Sequence, residues 1–98
     1  MNEVKIARLE SILEMISNNV GFEKILDALK VEYKLEGGNS VKHEYQSFGF
    51  HLEETITKEA AAYKKCMIKN KYKGCIDEYN SFISVAEDTV LMELTKLR

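Results

Sequence analysis

The sequence predicts an all-α protein, a compact antiparallel bundle of four helices in a single domain over residues 1–98, or of five if Gly49 breaks the third. Three observations predict it. Apolar residues recur at steps of three and four through most of the chain, the period of one helix face. The five glycines, Gly21, Gly37, Gly38, Gly49 and Gly74, are the natural corners, since glycine readily takes the left-handed backbone that ends a helix. There is no proline and no run with the alternation of a strand.

In the first segment Val4, Ile6, Leu9, Ile12, Leu13, Ile16 and Val20 form an amphipathic stripe. Asn2 is a suitable N-cap, Glu3 suits the positive end of the helix dipole, and Asn18-Asn19-Val20-Gly21 ends the helix. A second stripe, Phe22, Ile25, Leu26, Leu29 and Tyr33, closes in Gly37-Gly38-Asn39-Ser40, the strongest loop signal in the chain. A loop as short as Asn18–Gly21 implies that these two helices pack antiparallel.

From Val41 through Tyr45, Phe48, Leu52, Ile56, Ala60, Tyr63 and Met67 the apolar phase persists across Gly49, which predicts one helix over roughly residues 40–71. The last stripe runs from Cys75 through Tyr79, Phe82, Ile83, Ala86, Val90, Leu91 and Leu94 to Leu97, with Asp77 and Glu78 in its first turn. Asn70 and Gly74 bracket a lysine-rich turn between these two helices. A single rod of more than 50 residues would need a partner chain to complete its core, so the turn is preferred.

Composition excludes several classes. Apolar residues make up 45% and charged residues 31% of the chain, which is globular and not disordered. The start alternates charged and apolar residues without the apolar run of a signal peptide, and no stretch approaches a membrane span, so a cytoplasmic location and no membrane partner are expected. Cys66 and Cys75, nine positions apart, are expected as two free thiols in a reducing compartment, with a bridge across the Gly74 corner as the alternative.

Catalytic chemistry finds no foothold in the sequence. His43 and His51 differ by eight positions, about 80° around a continuous helix, and His51 precedes Glu54 instead of following a glutamate by three. Cys66 lies within a predicted helix whose N–H groups are spent on the ladder, and no phosphate-cradling glycine loop occurs. The chain is therefore read as non-enzymatic, with no catalytic residue, no metal site and no cofactor.

Charge is segregated. Residues 1–59 carry seven basic and eleven acidic side chains, residues 60–73 five lysines and no acid, and residues 74–98 two basic and five acidic, within a net charge of −2. Lys64, Lys65, Lys69, Lys71 and Lys73, with Tyr63 and Tyr72 beside them, form a candidate anion-binding zone. The acidic middle, Glu32, Glu36, Glu44, Glu53, Glu54 and Glu59, carries Tyr33, Tyr45, Phe48 and Phe50. On a helix Phe48 and Phe50 diverge by about 200°, so both cannot face one core. Tyr45, Phe48, Phe50, Glu53 and Glu54 are the candidate partner-binding residues, because complementary charge speeds docking and buried aromatics supply hot spots.

These features predict a small non-catalytic protein that binds another protein, most concretely an inhibitor, immunity or antitoxin-type protein that blocks a basic partner through the acidic, aromatic middle. A nucleic-acid or phosphorylated-ligand module using the lysine zone is the alternative. Nucleic acid is the weaker reading, since the zone has no arginine and the chain is acidic. A third reading is an obligate helical homodimer or adaptor.

Overall fold

The computed structural model describes residues 2–35 and 56–98. Among them the chain forms four helices and no strand: α1 (Asn2–Ser17), α2 (Phe22–Leu35), α3 (Thr57–Lys69) and α4 (Ile76–Leu97). The loop at Gly37-Gly38, the expected helix across Gly49 and its fifth-helix alternative lie outside the described residues, as do His43 and His51. The lysine-rich turn is present. The chain leaves the helix after Lys69 and re-enters it at Ile76, so no continuous rod forms across Gly74.

Helix α1 packs against both α2 and α4, and α3 packs on α4. Leu9 and Ile12 of α1, Ile25, Leu26 and Leu29 of α2, Ile56 and Ala60 at the start of α3, and Phe82, Ala86, Val90 and Leu94 of α4 form one buried cluster. Within the described residues each stripe read from the sequence supplies part of this core, and burying a side chain the size of Phe82 or Leu9 contributes about 2 kcal/mol. Val4 departs from its expected stripe and is 64% exposed. It lies about 140° around the helix from Leu9, beyond the width of a buried face.

Ion pairs tie α1 to its neighbours. Lys5 donates to Glu93 of α4 at 3.1 Å, and the Arg8 Nε donates to Glu32 Oε2 of α2 at 2.6 Å. Glu32 is 2% exposed, and its second oxygen has no hydrogen-bond partner. Its placement in the acidic docking face is therefore corrected: a carboxylate this buried must be paired to be tolerated, and Arg8 is its pair. Arg98 also bonds Glu10, both at the surface. No helix among the described residues is long and apolar enough to cross a membrane.

Candidate binding groove between the two helix corners

Both described corners begin with the same backbone device. At the end of α1, Asn19 takes a left-handed conformation (φ 55°), its N–H donates to the Ile16 carbonyl, and the Val20 N–H reaches back to Met15 at 3.2 Å. At the end of α3, Lys71 takes that conformation (φ 53°), its N–H donates to Ile68, and the Tyr72 N–H reaches Met67 at 2.7 Å. Each is a Schellman cap that satisfies carbonyls the helix end would leave open. The first corner then uses Gly21 (φ 114°). The second places a further non-glycine residue, Tyr72 (φ 66°), before Gly74 (φ 71°).

The second corner is cross-linked. Cys66 and Cys75 form a disulfide with their Cα atoms 6.1 Å apart, which corrects the expectation of free thiols. The reason is the turn itself: a Schellman reversal over six residues brings the last turn of α3 against the residue before α4. The Asn70 side-chain amide donates to the Cys66 sulfur at 3.2 Å.

Facing this corner is the start of α2. Phe22 stacks on Tyr63 with ring centroids 4.6 Å apart and on Phe82 at 4.8 Å, and Tyr63 continues to Tyr79 at 5.6 Å. The Tyr79 hydroxyl donates to Asn19 Oδ1 at 3.2 Å, which joins α4 to the first corner. Burial, and then the neighbouring Tyr63, raise the Tyr79 phenol above its ordinary value of 10.0.

Between the corners lies an apolar groove of about 580 Å³, lined by Val20 to Lys24 on one side and by Tyr63, Lys64, Met67, Ile68 and Tyr72 on the other. Its volume is within the usual range for ligand sites, roughly 300–1,000 Å³. Phe22 is buried at its floor, whereas Ile68 and Tyr72 are each 72% exposed. A second hollow of about 460 Å³ shares Gly21, Phe22, Tyr63 and Met67 with it and extends to Cys75, Ile76 and Tyr79. The Lys64 ammonium stands 5.9 Å from the centre of the Phe22 ring.

Of the residues singled out from sequence, Tyr63, Lys64 and Tyr72 line this groove. Lys65, Lys69, Lys71 and Lys73 are exposed on the same helix end and corner. Tyr45, Phe48, Phe50, Glu53 and Glu54 lie outside the described residues. Sequence reasoning read Phe22 as core, where it is, without showing that it floors a groove, and it missed Val20, which continues the α1 stripe, and Ile68 as groove residues. Ile68 carried one readable signal, sitting next to Met67 where only one of the two can occupy the stripe.

Among the described residues the group able to hold a metal is Cys66, Cys75 and Glu78, whose ligand atoms lie within 4.8 Å of one another. The bridge consumes both sulfurs, and only thiolates ligate. Reduced, the group supplies three donors, one short of a closed tetrahedral site. Its chemistry in the bridged form is structural. No family model matches the chain, and no curated protein or solved structure matches it either.

Proposed function

We propose that this is a non-catalytic helical protein that works by binding another protein, in the manner of an inhibitor, immunity protein or adaptor, through the groove between its two corners. One observation carries the reading: Ile68 and Tyr72 stand largely in water beside an apolar groove of ligand-site size, on a corner whose backbone is strained and covalently clamped. Contiguous exposed apolar surface on a small domain marks interaction sites, and aromatic residues anchor them. Strain in sparsely populated backbone regions persists where a surrounding structure holds it, and it concentrates at binding and switch segments.

The supporting scaffold is read as an antiparallel bundle. Lys5 meets Glu93 near the end of α4, Asn19 meets Tyr79 near its start, and Arg8 meets Glu32 near the end of α2. The acidic middle remains a separate proposal for a basic partner, since Glu53, Glu54 and their aromatic neighbours are not described. Cytoplasmic residence and the bridge pull in opposite directions, because a reducing cytosol keeps thiols free.

The test is photo-cross-linking in intact host cells. A benzophenone-bearing residue replaces Tyr72, Ile68 or, as a control on exposed α2 surface, Val31. A discrete protein adduct from positions 72 and 68 and none from 31 is expected. Equal labelling from all three positions, or none at 68 and 72, rejects the reading.

A further inference from the structure

The walls of the groove are apolar, but its surroundings are cationic. Lys24 and Lys64 stand among the lining residues against a single acid, Glu23. Residues 60–73, which supply one wall, carry five lysines and no acid. A ligand that buries apolar side chains against Phe22, Tyr63, Met67 and Ile68 must bring its polar remainder past these ammonium groups. Acidic groups there gain from complementary potential and speed encounter, whereas basic ones are repelled.

A nucleic acid fits this arrangement less well than a peptide. Phosphate binding wants cations along the path of the backbone, and here the path is hydrocarbon with lysines at its edge. The described residues include no sheet edge on which an extended peptide could add a strand, whereas an apolar groove between two helix corners suits a peptide helix laid into it, with anchors at i, i+3 or i+4, and i+7.

From these observations we infer that the groove between Val20–Lys24 and Tyr63–Tyr72 receives the apolar face of an acidic amphipathic helix from a partner protein. This rests on the protein-binding reading above and adds the chemistry of the partner. Tyr72 and Ile68 close over the helix from one wall, Phe22 and Tyr63 form its floor, and Lys24 and Lys64 meet carboxylates flanking its anchors. The left-handed backbone at Lys71 and Tyr72 places the Tyr72 ring at the rim, and the Cys66–Cys75 bridge holds that backbone to α4.

The experiment uses the intact, oxidised, isotope-labelled protein and three 16-residue peptides of matched length: a leucine–glutamate amphipathic helix, the same helix with lysine for every glutamate, and the acidic composition with its leucines scrambled off one face. The acidic amphipathic peptide is expected to shift the amide resonances of Phe22, Lys64, Met67, Ile68 and Tyr72. It should bind at least tenfold more tightly than either control and weaken as salt is raised. Tyr72→Gly should cost at least tenfold in affinity while the melting temperature stays level or rises, since glycine adopts this conformation freely. Lys64→Glu should narrow or invert the preference between acidic and basic peptides.

Equal binding of the three peptides, shifts outside the groove, or displacement of the peptide by an oligothymidine of similar length overturns the inference. The two readings fail separately. A cross-linked partner whose adduct maps to a segment that is not acidic and amphipathic sinks the inference and leaves protein binding standing. Absence of any adduct sinks the protein-binding reading regardless of the peptide result.

Discussion

The corner between α1 and α2 and the corner between α3 and α4 solve the same problem with different materials. Both end a helix in a Schellman cap. The first does so with Asn19 and Gly21, residues for which left-handed backbone is inexpensive, and it is secured by the noncovalent contact of Asn19 with Tyr79, while Arg8 and Glu32 hold the two helices it joins together further along. The second uses Lys71 and Tyr72, for which the same conformation costs roughly 1–2 kcal/mol each, and it is closed by a disulfide. A turn that only had to reverse the chain would have no reason to retain an exposed tyrosine in that geometry. The contrast separates a corner built for the fold from one in which the fold supports a surface.

Breaking the covalent side of the contrast gives the largest expected effect. Cys66 and Cys75 are nine apart, and closing so short a loop is worth a little under about 3 kcal/mol in the chain-entropy account. Replacing both by serine, or adding reductant, should lower the melting temperature by roughly 10 °C or more. Amide exchange should accelerate first at Asn70–Cys75, with Asn18–Val20 following only on global unfolding. A melting temperature indifferent to reductant would mean that the clamp is not what holds the second corner.

The helix pair that the first corner joins is broken at Arg8. Arg8→Ala leaves the Glu32 carboxylate buried without its partner and should cost about 2 kcal/mol, below the usual range for fully buried pairs because Arg8 is itself 38% exposed. Glu10→Ala, which removes the surface pair with Arg98, should change stability by less than about 0.5 kcal/mol. Denaturant melts of the two variants check the difference, and equal effects would remove Arg8–Glu32 as the clasp of the α1–α2 pair.

How much of this was legible depends on which physical signal each feature leaves in a sequence. Helix faces leave a strong one, since burial demands periodicity, and the stripes through Leu9, Leu29, Ala60 and Phe82 were readable in the order they appear. The corners were readable at Asn18–Gly21 and at Asn70–Gly74 because asparagine and glycine favour left-handed backbone. The conformations of Lys71 and Tyr72 were not, because lysine and tyrosine carry no such preference. The bridge was not legible either: spacing alone does not show that a cap will fold Cys66 back onto Cys75. The groove was half visible, as lysines and tyrosines, but nothing in the pattern showed that the core residue Phe22 would floor an open groove or that Ile68 would stand at its rim. A periodicity argument cannot distinguish a side chain buried under its own chain from one waiting for another.

Relieving the strain, instead of breaking the clamp, sharpens the contrast with a smaller effect. Lys71→Gly should stabilise the protein by about 1 kcal/mol, since glycine takes the left-handed conformation without the steric cost, offset in part by its greater freedom when unfolded. Asn19→Gly at the matching cap position should gain nothing from geometry, because asparagine already tolerates it, and should cost about 0.5–1 kcal/mol through loss of the hydrogen bond from Tyr79. Parallel denaturant melts decide it, and equal gains at both positions would erase the energetic difference between the corners.

The smallest effect is an alkaline one, at Tyr79, where the two corners meet. Burial and Tyr63 raise its phenol in the folded protein above the ordinary value near 10.0. The unfolded chain therefore gives up this proton first as pH rises. Its contribution to stability is complete below about pH 10 and is lost as pH climbs through the folded value. Tyr79→Phe should flatten the alkaline slope of stability while removing the hydrogen bond to Asn19, an exposed contact worth about 0.5–1 kcal/mol. Melts at neutral pH and above pH 10 separate the two consequences: a variant offset from wild type by a constant amount at every pH would show the hydrogen bond to matter and the raised phenol not to.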